Sequence, residues 1–296
     1  MRLEPCAWSG RKSRKKSYRK LRPRRFPRNF AFMNVASDNS IDKARTVDLN
    51  ADMGEGFGRY GTDDRALFGV VTSASIACGF HAGDPVVMRD TVERAVICGA
   101  AIGAHPGYPD LVGFGRRDLA ATPAEIEAFV VYQIGALQAV CTAAGARLRY
   151  VKAHGALYNR AVRDVLAADA IARAVRSVDP SLALLSLAGG AMIDAAERAG
   201  LRGVSEAFLD RAYRNDGTLV PRAESGAVLS DVDVIADRAL RMVETETVVA
   251  IDGSIINVRA ESFCTHGDGS RAVAIVHAVR VRLERAGVVI ASFARE

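Results

Sequence analysis

At 296 residues, 49% of them apolar, the chain is long enough for one large α/β domain or two small ones, and it holds no run of the roughly 18 uninterrupted apolar residues that a membrane span requires. The formal charge of +6 does not describe a nucleic-acid-binding body: residues 1–32 hold twelve Lys or Arg against Glu4 alone, a charge of +11, which leaves 28 basic and 33 acidic groups, or −5, on the remainder. The five cysteines, Cys6, Cys78, Cys98, Cys141 and Cys264, are odd in number, widely spaced and set in apolar patterns, which predicts reduced core thiols in a soluble cytoplasmic protein and no disulfide framework.

Residues 1–45 lack the apolar periodicity needed to fold and contain no apolar stretch of signal-peptide type. They are expected to form a disordered basic extension, with Met33 as the true start and residues 46–296 as the folded domain. A tether for acidic partners is the functional alternative, because clustered Lys and Arg bind phosphates by releasing counterions.

Val47 to Asn50 alternates like a short strand and runs into a loop, Ala51 to Gly56, where Asp52 and Glu55 crowd together with Gly54 and Gly56. Carboxylates there would repel a pyrophosphate, and no Gly-x-Gly-x-x-Gly opens a long helix, so the loop is not a dinucleotide fingerprint. Asp63 to Phe68 reads as a short helix. Ser75 to Cys78 is an apolar strand that stops at Gly79, presents His81 and Asp84, and gives way to a helix over 85–98 with Pro85 in its first turn. Ala101 to Ala104 is a third strand ending in His105-Pro106-Gly107, and the Gly/Pro-rich segment from there to Arg117 is long enough to be a lid or binding loop. Thr122-Pro123-Ala124-Glu125 opens a helix that runs to Ala144. Tyr150 to Lys152 is a strand that delivers Lys152 and His154 two residues apart, on one side of an extended chain.

Beyond it, Ala167 to Val178 is helical, Leu182 to Leu187 a buried strand, 191–200 a helix, Gly203 to Phe208 a strand and Asp210 to Gly217 a charged loop. Asp231 to Val243 and Ser270 to Ala286 are helices, while Thr247 to Ile251, Ile255 to Ser262 and Val288 to Ser292 supply strands, with Glu261 to Cys264 leading into His266-Gly267-Asp268. Strand and helix alternate from residue 47 onward without a linker, the pattern of a single parallel α/β domain of barrel type.

Four of the five histidines, His81, His105, His154 and His266, follow a strand in glycine-rich surroundings, where parallel α/β folds build their sites. The fifth, His277, sits inside a helical pattern. One histidine beside a glycine is commonly just a hydrogen-bonded loop residue; four in one topological position point to a site. The other polar residues at strand ends are Asp48, Asp52, Glu55, Asp84, Lys152, Asp210, Arg211 and Asp268. Imidazoles beside carboxylates suit a divalent metal or proton relays near neutrality, and Lys152 and Arg211 suit carboxylate or phosphate oxygens. No spacing matches a tight motif such as His-Glu-x-x-His, so the metal is left open, with Asp48, His81, His105 and His154 as candidate ligands.

The segments 47–56, 74–84, 101–106, 151–159, 210–213 and 264–268 resemble, in order, the successive motifs of the LamB/YcsF family of 5-oxoprolinase A subunits, over about residues 46–292. The resemblance implies a distorted (β/α) TIM-like barrel of the glycoside hydrolase/deacetylase type. It implies ATP-dependent opening of 5-oxoproline (pyroglutamate) to L-glutamate, with ATP as co-substrate, in a complex with two partner subunits, B and C. On that basis the expected catalytic residues are Asp48, Asp52, Glu55, His81, Asp84, His105, Lys152, His154 and His266, and the expected substrate-binding residues are Asn50, Arg211, Tyr213 and Asp268. Gly107 stands where the family usually has Ser, Ala153 where it has Pro, and Thr265 where it has an aliphatic residue. Two other activities fit the same residues: a metal-dependent deacetylase or amidohydrolase acting alone, and a binding subunit without catalysis.

Overall fold

A computed structural model of the chain describes residues 45–58, 64–265 and 271–294; the basic arm with its Met33 expectation, and His266 and Asp268, lie outside the described residues. The strands are β1 (Thr46–Met53), β2 (Ser73–Ala77), β3 (Ala101–His105), β4 (Leu148–Val151), β5 (Ala183–Leu187), β6 (Arg202–Phe208), β7 (Thr247–Val249), β8 (Ile255–Asn257), β9 (Ser262–Cys264) and β10 (Val289–Ile290). Seven of them close a parallel barrel in the order β1-β2-β3-β4-β5-β6-β9, with β9 pairing back onto β1. An eighth position is only half made: β10 pairs with Thr46 and Val47 at the start of β1, while β9 takes Asp48 to Asn50.

The helices α1 (Pro85–Cys98), α2 (Pro123–Ala143), α3 (Gly155–Ala161), α4 (Val165–Val178), α5 (Ala191–Arg198), α6 (Val232–Thr245) and α7 (Ala272–Arg285) fall between consecutive strands, as right-handed parallel crossovers require. Local chemistry starts them. At α2, Thr122 accepts from the Glu125 amide at 3.3 Å while Glu125 accepts from the Thr122 amide at 2.7 Å, a complete capping box, with Pro123 at the first position. By length and composition α2 could cross a membrane, yet Ile126, Val130, Ile134, Leu137 and Cys141 bury one stripe of it in the core, and it packs against α4.

Several expectations need correction. β1 continues through Met53, so Asp52 belongs to the strand and points inward in phase with Asp48 and Asn50. Arg65–Gly69 is a single 3-10 turn. The alternation over 255–262 is not one strand: Ile255–Asn257 forms an antiparallel hairpin with Thr247–Val249 away from the barrel, and Ser262–Cys264 alone joins the barrel. Helix α3, directly after His154, was not expected, and the closing strand is two residues long. Cys78, Cys141 and Cys264 are buried, but Cys98 is exposed at the end of α1; Cys6 lies outside the described residues.

The barrel interior is layered. Near the amino ends of the strands Tyr150, Leu185 and Val204 form an apolar plug with Phe293. Above it the register sets Asp48 beside Ser262, and Ser262 beside Glu206. The polar groups of the next layers face the carboxyl end.

Candidate active site

Period-two alternation on β1 sends Asp48, Asn50 and Asp52 inward in ascending layers, and the same alternation on β4 and its extension sends in Lys152 and His154. Asp48 is wholly buried and accepts from Thr72 and Ser73, each at 2.6 Å, and from Ser262. Burial, only partly offset by these three donors, pushes its pKa up to about 6. Held within the barrel by these hydroxyls, it stands outside the group formed by Glu55, His81, His105 and His154 among the described residues.

Lys152 occupies the centre of the next layer. Its Nζ donates to Asp52 at 2.9 Å, to Asn50 at 3.0 Å and to the Cys264 sulfur at 3.2 Å, and Glu206 stands 3.3 Å away. Burial opposes the charge, but Asp52 and Glu206 outweigh it and hold the ammonium well above the usual lysine range. An ammonium has three protons, and protein atoms take them, so Lys152 sets charge balance and orients Asp52 more than it reaches for a substrate anion. Glu206, which sequence reasoning missed, is fully buried and also accepts from Tyr158 at 2.8 Å and from Asn50 at 3.3 Å. An acid in the middle of an apolar parallel strand marks it in the sequence, though its partners come only from strand register.

The histidines form the upper layer. His81 lies flat on His154, ring centroids 3.7 Å apart and planes 4° off parallel, and His105 meets both edge-on. Glu55 points into the group, 3.2 Å from His81 Nε2 and 3.4 Å from His154 Nδ1. Asp52 Oδ2 lies 3.3 Å from His105 Nε2, so this carboxylate bridges His105 and Lys152. Burial drives the His81 and His154 pKa values well below the ordinary histidine range, neighbouring imidazoles add to the effect, and burial raises that of Glu55. Among the described residues, Glu55, His81, His105 and His154 are the group whose potential ligand atoms all lie within 4.8 Å of one another.

The long loop after β3 packs onto this cluster. Arg117 pairs with buried Asp110, Phe114 sets its ring against His81 and His154, and the Phe114 carbonyl accepts from His154 Nε2 at 2.9 Å. Gly115 has φ of 62°, and a Cβ on it would stand 2.7 Å from His81 Cβ, so only glycine lets the loop come this close. Gly107 also abuts His81, where a Cβ would meet Nδ1 at 2.8 Å; that buried Nδ1 has no hydrogen-bond partner among the described residues.

Other expected residues are used differently. Asp84 caps α1, accepting from Val86 at 2.8 Å, Val87 at 2.9 Å and Gly58 at 2.8 Å. Tyr213 is buried and its hydroxyl accepts from the Phe208 amide at 2.7 Å, which fixes the loop after β6. Asn50 is buried between Lys152, Ser262 and Glu206. Arg211 donates to the Val220 and Ala227 carbonyls and lines the cavity above the cluster. That cavity, about 720 Å³, has Asp52, His105, Lys152 and His154 on its floor, and carries Arg116, Arg163, Arg211, Arg214 and Arg222 against Asp52 and Asp216.

The LamB/YcsF family profile matches residues 47–296. The chain is 51% identical to the 5-oxoprolinase A subunit of Heliobacterium modesticaldum, over 82% of this chain and 96% of that protein, and 54% identical to that of Mycolicibacterium gilvum, over 84% and 99%. The crystal structure of the lactam utilization protein from Thermus thermophilus superposes with a TM-score of 0.80 at 48% identity, covering 84% of this chain and 100% of that one. With the family profile matching from the first barrel strand through the last helix, this chain belongs to the LamB/YcsF family.

Proposed function

We infer that the chain is the A component of a multi-subunit 5-oxoprolinase and opens the lactam of 5-oxoproline to L-glutamate at the expense of ATP, together with two partner subunits. The observation that carries this reading is the joining of a buried carboxylate–imidazole cluster to a cavity walled by arginines. A five-membered lactam is a resonance-stabilised amide. Transfer of the ATP γ-phosphoryl to the amide oxygen releases ADP and turns the carbonyl carbon into an electrophile; one water adds there and the C–N bond breaks, the ring nitrogen taking a proton as it becomes the glutamate amine, and a second water cleaves the resulting acyl phosphate to carboxylate and phosphate. Anions crowd every stage, from the substrate carboxylate to the phosphates, and the cationic wall suits them. Removing a proton from water and delivering one to nitrogen suits neutral imidazoles beside Glu55 and Asp52.

The names of the relatives support the assignment as the A component, and they support the lactam as substrate. The test is 5-oxoproline-dependent ADP release, measured with this chain alone and with B and C subunits added. ADP and glutamate formed together only in the complete mixture support the reading. Amide hydrolysis by the chain alone, without ATP and abolished by a chelator, would replace it with a stand-alone hydrolase.

A further inference from the structure

Two hydrogen bonds fix the tautomers of His105 and His154. A carbonyl oxygen can only accept, so His105 Nδ1 carries the proton it gives to Lys152 O at 2.8 Å, and His154 Nε2 carries the one it gives to Phe114 O at 2.9 Å. The remaining nitrogens, His105 Nε2 and His154 Nδ1, therefore turn lone pairs toward each other at 2.9 Å. Glu55 Oε1 joins them, 3.4 Å from His154 Nδ1 and 4.0 Å from His105 Nε2, and stands 3.2 Å from His81 Nε2. The bare electron pairs of His105 Nε2 and His154 Nδ1 repel at this separation unless a cation lies between them.

The geometry points to a first-row divalent transition ion, Zn²⁺ or a close relative, held by Glu55, His81, His105 and His154. Four ligands at zinc bond lengths of about 2.0–2.1 Å stand roughly 3.3 Å apart at the corners of a tetrahedron. Four of the six separations, 2.9, 3.2, 3.4 and 4.0 Å, bracket that edge and all six lie within 4.8 Å, so binding turns the His81 ring out of its parallel stack on His154 for both to face one ion. Three imidazoles and one carboxylate favour zinc and its neighbours over magnesium or calcium, which prefer all-oxygen shells. The carbonyls behind His105 and His154 are outer partners of the kind that hold a ligating imidazole in one tautomer. When bound, the ion would place Lewis acidity at the cavity floor, which His105 and His154 line. The competing filler is a single proton shared between His105 and His154.

The experiment uses the full chain carrying Cys98→Ser, which removes the exposed thiol, stripped with chelator and then titrated with Zn²⁺ and with Co²⁺. The expected result is one ion per chain by elemental analysis, a raised melting temperature, and a visible Co²⁺ spectrum without a thiolate charge-transfer band. His154→Ala should weaken binding by about 100-fold or more, beyond the 10–100-fold usual for losing an outer partner. Glu55→Gln, which keeps the shape, should weaken it too, and His277→Ala should not. A reloaded protein that retains no ion and melts unchanged would establish the shared proton instead. Undiminished binding in both His154→Ala and Glu55→Gln would place the ion elsewhere and overturn the assignment. None of these readouts needs lactam turnover, so a protein that binds the ion at these four residues but opens no lactam would contradict the functional reading and leave the metal site standing.

Discussion

The imidazole of His81 lies parallel to that of His154 with centroids 3.7 Å apart, although the two follow different strands, β2 and β4. Both are buried, and both sit at the barrel's carboxyl end, above the polar layers and the apolar plug. Residues placed there serve the site, while fold stability rests on the layers below.

Single replacements at the stack should therefore cost turnover far more than stability. His81→Ala and His154→Ala are each expected to lower kcat by about 10² to 10⁴-fold, the range for lost acid–base groups. His277→Ala, exposed on α7, should leave both properties unchanged. Rates and melting temperatures measured on the same preparations decide it; equal losses of stability in all three, with normal turnover by the folded fraction, would show that the cluster is only structural.

Lys152 makes a different prediction because it is buried among acids. Lys152→Met leaves Asp52 and Glu206 without their cation and should cost about 3–5 kcal/mol of stability. Adding Glu206→Gln removes one stranded charge, so the double variant should regain part of that loss in urea unfolding and still lack activity. A double variant no more stable than Lys152→Met would show that Glu206 is not balanced by this lysine.

How much of the site is legible in the sequence follows from what each residue's neighbours are. His81, His105, Lys152 and His154 were visible because each ends or follows a strand within three residues of a glycine, a local pattern. Glu206 and Ser262 escaped because their meaning depends on register: only β6–β9 and β9–β1 pairing reveals that they share a layer with Asp48. Asp84 was read only as a strand-end acid, but an aspartate before a proline-started helix is also a cap, and here it caps α1. The hairpin of β7 and β8 imitates barrel strands in periodicity, and only its antiparallel pairing separates it from them.

Asp48 should leave a mark on the pH dependence of stability. Its folded pKa of about 6 exceeds the ordinary 3.8, so the folded state holds the proton more tightly; the penalty for ionisation is absent below about pH 4, grows through the window and is complete above about pH 6. At about 1.36 kcal/mol per pH unit the penalty is about 3 kcal/mol. Asp48→Asn has no such proton, so wild type should lose stability relative to it as pH rises from about 4 to 7. Chemical unfolding of both across that range checks the slope, and a constant difference would contradict it.

Gly115 tests the loop that covers the histidines. Gly115→Ala imposes a side chain at φ 62°, with its Cβ 2.7 Å from His81 Cβ and 2.9 Å from His154 Cδ2. The expected cost is about 1–3 kcal/mol, with loss of turnover as the loop lifts from the cluster. A variant with wild-type stability and rate would mean that the loop does not seat the two rings.

The most direct test of the central claim is glutamate formed per ADP released in a complex reconstituted with B and C subunits, using either wild-type chain or folded His154→Ala as the A component. Wild type is predicted to give the two products in equal amounts, and His154→Ala to give no measurable glutamate. Glutamate produced at an undiminished rate with His154→Ala would place lactam opening outside this barrel and contradict the account.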